Sequence, residues 1–203
     1  MKAFLEPFLP VPVVVREGER YRLDWDRPQS VGKIRAFMGN MGVLVRAYTY
    51  LCINGINGLQ EVARHAVLNA NYVMRRLAKH FPPAVDRFCM HECVLTAEPL
   101  AKRHGVRAMD VAKALLDYGF HAPTVYFPLP AIVPEALMIE PTETESKETL
   151  DAFIAAMEAI AREAQESPDR VRERPFQTPV RRLDEVTAAR RPVLRWPPPE
   201  GRP

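Results

Sequence analysis

The succession of periodicities along the chain predicts an α+β fold, a small sheet covered by helices with an extended N-terminal segment and a C-terminal tail. Three observations carry this. Apolar residues recur at helical spacing in two stretches before residue 80 and in a third after residue 144. Short apolar runs of strand length lie between them, bounded by proline, glycine or charge. The two ends are rich in proline and carry neither period.

Residues 1–30 hold only short extended pieces, Val11 to Val15 and Arg20 to Leu23, which is poor material for an independent core. Ser30 is placed to cap a first helix, because Ile34, Phe37, Met38, Met41, Leu44, Val45, Tyr48 and Leu51 follow at helical spacing. Asn54-Gly55 supplies its stop. A second helix is expected from Gly58 to His80, with Leu59, Val62, Ala66, Val67, Ala70, Val73, Met74 and Leu77 on one side. The short connection implies an antiparallel pair. Pro82-Pro83 closes this part, and strands are expected at Arg87 to Thr96, Thr124 to Phe127 and Ala136 to Glu140, with a helix from Ala108 to Tyr118 ended by Gly119. A last long helix, Thr144 to Gln165, turns Leu150, Phe153, Ile154, Met157, Ile160 and Ala161 inward. The expected domains are therefore 1–30, 31–166 and an extended Pro/Arg-rich tail at 167–203.

With 203 residues, 47% of them hydrophobic, the chain can bury one core. No stretch approaches the roughly 20 apolar residues that span a bilayer. Glu6 and three prolines interrupt the apolar N-terminus, and no small-residue cleavage site follows, so a cytoplasmic protein is expected. A net charge of +3, with arginines interleaved among acids, does not call for nucleic acid. The three cysteines, Cys52, Cys89 and Cys93, form no even disulfide framework and suit a reducing compartment.

Cys89, His91 and Cys93 alternate in a way that invites a zinc reading. On a strand, two steps of roughly 6.5 to 7 Å put the cysteines about 13 Å apart, too far for shared coordination, so no metal site is expected. The glycines at 39 and 42 flank Asn40 inside the expected first helix, where each costs about 1 kcal/mol against alanine; helix packing or a ligand would explain them. Asn69 and Asn71 sit in the second helix, where asparagine competes for backbone hydrogen bonds, and at least one of them is expected to find a buried partner. At LMIEPTETESKE (Leu137 to Glu148), Pro141 ends a strand. Thr142 and Glu145 are spaced as a capping box, and outward amides at such a turn suit an anion, although the neighbouring acids oppose one. Arg181 and Arg182 could bind an anion or pair with Asp184 and Glu185, and an interaction surface is the plainer reading.

Taken together, LMIEPTETESKE, HAPTVYF (His121 to Phe127), NANYVMRRL (Asn69 to Leu77), Phe37-x-Gly39-Asn40, His91-Glu92 and TPVRRLDE (Thr178 to Glu185) resemble the pyridoxal-phosphate glycine decarboxylases of the glycine cleavage system. More narrowly, the chain looks like the C-terminal region of the second subunit, and the likeness runs from LEPFLPVPVV to the tail. The resemblance implies the small C-terminal domain of a fold-type I pyridoxal-phosphate enzyme, with residues 1–30 leading from a large domain that the match does not include. It implies glycine decarboxylation, an oxidoreductase activity, with transfer of the aminomethyl group to the lipoyl carrier H-protein, in company with the first subunit. Asn40, His91, Glu92, Thr142 and Glu143 are the residues it implies at an active-site edge; for His91 a structural role is the plainer reading.

Two departures stand out. The connection from Phe127 to Glu135 looks slightly longer than the family's. Met1 also falls just after the place where the family carries its cofactor lysine beside histidine and a glycine-rich loop. None of Lys2, Lys33, Lys79, Lys102, Lys113 and Lys147 follows a histidine. The chain is therefore expected to lack the Schiff-base lysine and to bind no cofactor alone, as the product of a split or truncated gene or as an expressed fragment. The alternative is a non-catalytic module that binds a partner enzyme subunit. A nucleic-acid binder using the arginine-rich tail is a third, weaker reading.

Overall fold

The computed structural model describes residues 3–34 and 39–195 and divides into two compact units, Met1–Gly55 and Ile56–Pro203. In the first, a 3-10 helix (Ala3–Phe8) precedes an antiparallel hairpin of β1 (Val13–Glu17) and β2 (Arg20–Asp24), in register from Val13↔Asp24 to Glu17↔Arg20. Gly18 turns the hairpin at φ 62°, a backbone region that L-residues rarely enter. Ser30 does not cap a helix: its hydroxyl donates to Leu9 O (2.6 Å) and accepts from Gly32 N (3.0 Å), tying residues 30–32 to 8–11. No described residue of this unit is buried, in keeping with its lack of sequence periodicity.

Helix α1 (Met41–Leu77) opens later than its apolar spacing suggests, and part of the expected start, including Phe37 and Met38, lies outside the described residues. Gly39 is not a helix-interior residue. It stands before the helix at φ 111°, where any side chain would be strained, and Asn40 Oδ1 accepts from Val43 N at 3.4 Å in the first turn. Gly55 (φ 60°, ψ −176°) breaks α1 where the Asn-Gly stop was expected.

The second unit contains the core. Ala70, Val73, Met74 and Leu77 of α1 join Phe81, the sheet and the later helices. The sheet is antiparallel, in the order β3 (Cys93–Thr96), β5 (Ala136–Ile139), β4 (Thr124–Val125), with Cys93↔Ile139 and Thr124↔Met138 in register. Strand β3 is less than half the expected length, beginning at Cys93 rather than Arg87. Thr96 N donates to Pro82 O and Ala84 N to Val94 O, both at 2.9 Å, so the chain doubles back on itself and residues 85–92 become its loop. β4 stops at Val125: Tyr126 N still donates to Ala136 O (3.0 Å), but its φ of 59° turns the chain out of the extended conformation.

Helix α2 (Glu98–His104) is not among the expected elements, although Pro99 in its first turn and the left-handed Gly105 at its end are ordinary signals. Helix α3 (Ala108–Asp117) ends before Gly119 as expected, and α4 (Lys147–Glu166) buries Leu150, Ile154, Met157, Ile160 and Ala161. The tail is not extended throughout: α5 (Pro168–Glu173) buries Val171, and α6 (Glu185–Arg190) is capped by Asp184. The expected α+β architecture is present. Among the described residues, no helix is long and apolar enough to cross a membrane.

Candidate functional site

Pairing of β4 with β5 brings His121–Thr124 beside Met138–Pro141, although the two runs lie far apart in sequence. The first turns of α4 form the facing wall, and a groove of about 380 Å³ opens between them, within the size range of small-ligand sites. Phe120, Ile139, Leu150 and Phe153 give it an apolar lining, and the two phenylalanine rings meet edge to face at 5.4 Å between centroids. His121, Thr124, Glu140, Glu145 and Thr149 supply the polar groups.

Two asparagines of one helix hold the neighbouring segments. Asn69 Nδ2 donates to Thr142 O at 2.9 Å and so pins the turn that follows β5. Asn71 exchanges hydrogen bonds with the Cys89 backbone, donating to its O at 2.8 Å and accepting from its N at 3.0 Å, and also donates to Val67 O. The helix-disfavoured pair thus ties the loop 85–92 and the turn at Thr142 to the same two turns of α1. A further contact fixes α4: Tyr72 Oη donates to Asp151, which Lys147 also approaches at 2.5 Å. Hydrogen bonds from Lys147 and then Tyr72 hold the Asp151 carboxyl below the usual carboxylate range.

The capping box expected from Thr142 and Glu145 does not form. Glu145 N donates to Thr142 O (3.2 Å) in a backbone turn, and Ser146 is the N-cap, accepting from Thr149 N at 3.2 Å. Residues 142–146 are consumed by the turn that swings the chain from the buried Pro141 to the helix, which shifts the cap along by four positions. Arg181 and Arg182 also find different partners. Arg182 pairs with Asp110 at 3.0 Å, and Arg181 lies over the Phe176 ring, 4.7 Å from its centroid.

The expected site residues are therefore dispersed. Thr142 and Glu143 directly follow the groove wall without lining it, and His91 and Glu92 lie 3.9 Å apart on the loop held by Asn71. Asn40 belongs to the first unit. His121 and Glu140, which do line the groove, lie in the family-like runs but were not singled out, because the β4–β5 pairing that joins them leaves no mark in either run alone.

The strand geometry invoked against zinc does not hold, since residues 89–92 are not in a strand. Burial pushes the Cys93 thiol up to about 12 and raises the Cys89 thiol as well. Among the described residues, no cluster of three His, Cys, Asp or Glu could hold an ion.

Among the described residues, those that line the groove do not fit a pyridoxal-phosphate Schiff base, because none of them is a lysine. Lys102 and Lys113 pair with Glu98 and Glu185, Lys147 pairs with Asp151, and Lys33 covers the Trp25 ring. No step through that cofactor is assigned to this chain.

Comparisons with known proteins agree with the sequence resemblance. Residues 62–178 match the family model described as glycine dehydrogenase, C-terminal domain. Similar curated proteins include those of Halalkalibacterium halodurans (57% identical over 97% of this chain) and Fervidobacterium nodosum (55% over 97%), each named probable glycine dehydrogenase (decarboxylating) subunit 2. A third, from Methylococcus capsulatus, has the same name and is 56% identical over 98% of the chain. This chain spans only 40%, 41% and 41% of their respective lengths. A crystal structure of glycine decarboxylase (P-protein) of the glycine cleavage system, in inhibitor-bound form, matches with a TM-score of 0.57 and 20% identity. It covers 77% of this chain and 37% of that one, and the likeness is one of fold.

Proposed function

Because the chain belongs to the glycine dehydrogenase C-terminal domain family, we propose that it is the C-terminal part of a glycine decarboxylase of the glycine cleavage system. The observation that carries this reading is identity of 57% across nearly the whole chain to a protein named as subunit 2 of that enzyme. In the complete enzyme the chemistry is pyridoxal-phosphate-dependent glycine decarboxylation with aminomethyl transfer to the lipoyl H-protein. The cofactor, when bound, supplies the electron sink, and its lysine and phosphate cradle come from the part of the relatives' length that this chain does not span. The first subunit and the H-protein are the partners of the assembly, and its compartment is the cytoplasm.

This chain's contribution is the groove between β4, β5 and α4. Its apolar lining excludes water from one side of the active site, while His121, Glu140 and Glu145 present proton-exchanging groups near its mouth. Thr142 and Glu143 stand at the edge of that site, positioned through Asn69, and His91 and Glu92 border it through the loop that Asn71 holds.

A chimera tests the reading: the N-terminal portion of the Halalkalibacterium protein is joined to this chain at the start of the aligned region. With the first subunit, pyridoxal phosphate, H-protein and carboxyl-labelled glycine, the chimera is expected to release labelled carbon dioxide. The same mixture without this chain's sequence is expected not to. A correctly assembled chimera with no release would overturn the proposal.

A further inference from the structure

The first part of α1 is apolar on every side. From Met41 to Asn54 the single charged residue is Arg46, and at about 100° per residue the large apolar side chains distribute around the whole axis. Met41, Val45 and Tyr48 share one side, Leu44 and Leu51 the next, Val43 and Tyr50 the opposite one, and Ile53 fills the remainder. All are exposed, with Met41 at 68%, Tyr48 at 70% and Ile53 at 79%. A surface helix carries one apolar stripe, whereas a helix apolar all round belongs inside a protein core or a membrane.

Length argues against the membrane. This part of the helix rises only about 21 Å before the break at Gly55, against a hydrocarbon thickness of about 30 Å. A second copy of the chain fits no better, because one two-fold contact covers one side of a helix and leaves the other exposed. What remains is a body large enough to surround the helix. The relatives at 55–57% identity extend well beyond this chain, which covers only 40–41% of them.

We infer that residues 41–54 form a plug helix that inserts into an apolar, uncharged cleft of the N-terminal portion of the enzyme, whether that portion is joined to this chain or supplied separately. The inference rests on the assignment to glycine decarboxylase for the partner's identity, and on the helix itself for the surface. Arg46 reaches from the cleft to water along its own aliphatic stem. Carboxylates on this helix would be stranded in an apolar setting without a partner.

The test is co-expression of the full 203-residue chain with the tagged N-terminal portion of the Halalkalibacterium protein, followed by sedimentation velocity on the purified material. Wild type and the tail variant Val193→Glu are expected to form a one-to-one complex. Leu44→Glu and Tyr48→Glu are expected to bind roughly tenfold more weakly or worse, with unchanged circular dichroism and thermal unfolding of the isolated chain, since both positions are exposed in it. Equal binding by the helix variants would overturn the inference. So would no complex with wild type, or a homodimer or vesicle adduct of this chain that the helix variants dissolve. Labelled carbon dioxide release, measured on the same samples after addition of the first subunit, pyridoxal phosphate, H-protein and carboxyl-labelled glycine, separates the two claims: release that survives the helix variants rejects the plug and keeps the enzyme, whereas a complex that depends on the helix but releases nothing keeps the plug and rejects the enzyme.

Discussion

Replacing Asp117 with alanine should loosen the start of the tail and make that loss depend on pH. The Asp117 side chain is 1% exposed at the end of α3 and accepts from Arg174 Nη1 (2.7 Å), Phe176 N (2.8 Å) and Gln177 N (2.8 Å). Arg174, 11% exposed, is also held by Glu163 through two bonds of 2.9 and 3.1 Å. Breaking a buried pair on one side typically costs about 3–5 kcal/mol. Here Glu163 still compensates the guanidinium, and the amides of the exposed Phe176 and Gln177 can turn to water, so a cost of about 2–3 kcal/mol is expected.

Burial alone would raise the Asp117 carboxyl, but hydrogen bonds from the Gln177 and Phe176 amides and from Arg174 outweigh it and leave the group below its ordinary value. A carboxyl depressed in the folded state contributes stability that is complete above its unfolded value, near 4, and is lost as pH falls toward the folded one. Urea unfolding followed by circular dichroism at pH 7 and pH 3 should therefore show a large difference between wild type and Asp117→Ala at pH 7 and a smaller one at pH 3. A cost below about 0.5 kcal/mol at pH 7, within the range of an ordinary surface change, would refute the reasoning, as would a difference that does not shrink in acid.

Three further outcomes follow from particular contacts. Ser146→Ala should cost about 1 kcal/mol in thermal unfolding through loss of the α4 cap, whereas Thr142→Val should leave that helix unchanged. Asn71→Ala removes both bonds to the Cys89 backbone; a loss of about 1–3 kcal/mol is expected, with the Cys89 amide exchanging hydrogen faster. Alkylation by iodoacetamide at pH 8, read by mass spectrometry, should label the exposed Cys52 and spare the buried Cys93 until the chain unfolds.

The elements that obey one period over many residues were legible in the sequence. Helix α4 is legible nearly to its ends because its inward positions repeat over five turns, and Gly55 and Gly119 mark real boundaries because glycine takes their positive φ, 60° and 78°, without strain. Segments whose conformation depends on distant partners were not legible. The run from Arg87 to Glu92 looks like a strand, yet the bond from Ala84 N to Val94 O closes it into a loop, and Asn71 holds Cys89 there. The same holds for the site. The runs that resemble the family were visible singly, whereas the groove exists only because Thr124 pairs with Met138 and Asn69 reaches across 73 positions to Thr142.

The claim that this groove borders the active site is tested most directly by filling it within the catalytic chimera. Thr149 lies exposed on the α4 wall, so Thr149→Trp should occupy the space without disturbing the core. The account predicts that kcat/KM for release of the glycine carboxyl falls roughly tenfold or more, with assembly and thermal unfolding unchanged. Undiminished turnover by an intact Thr149→Trp enzyme would contradict it.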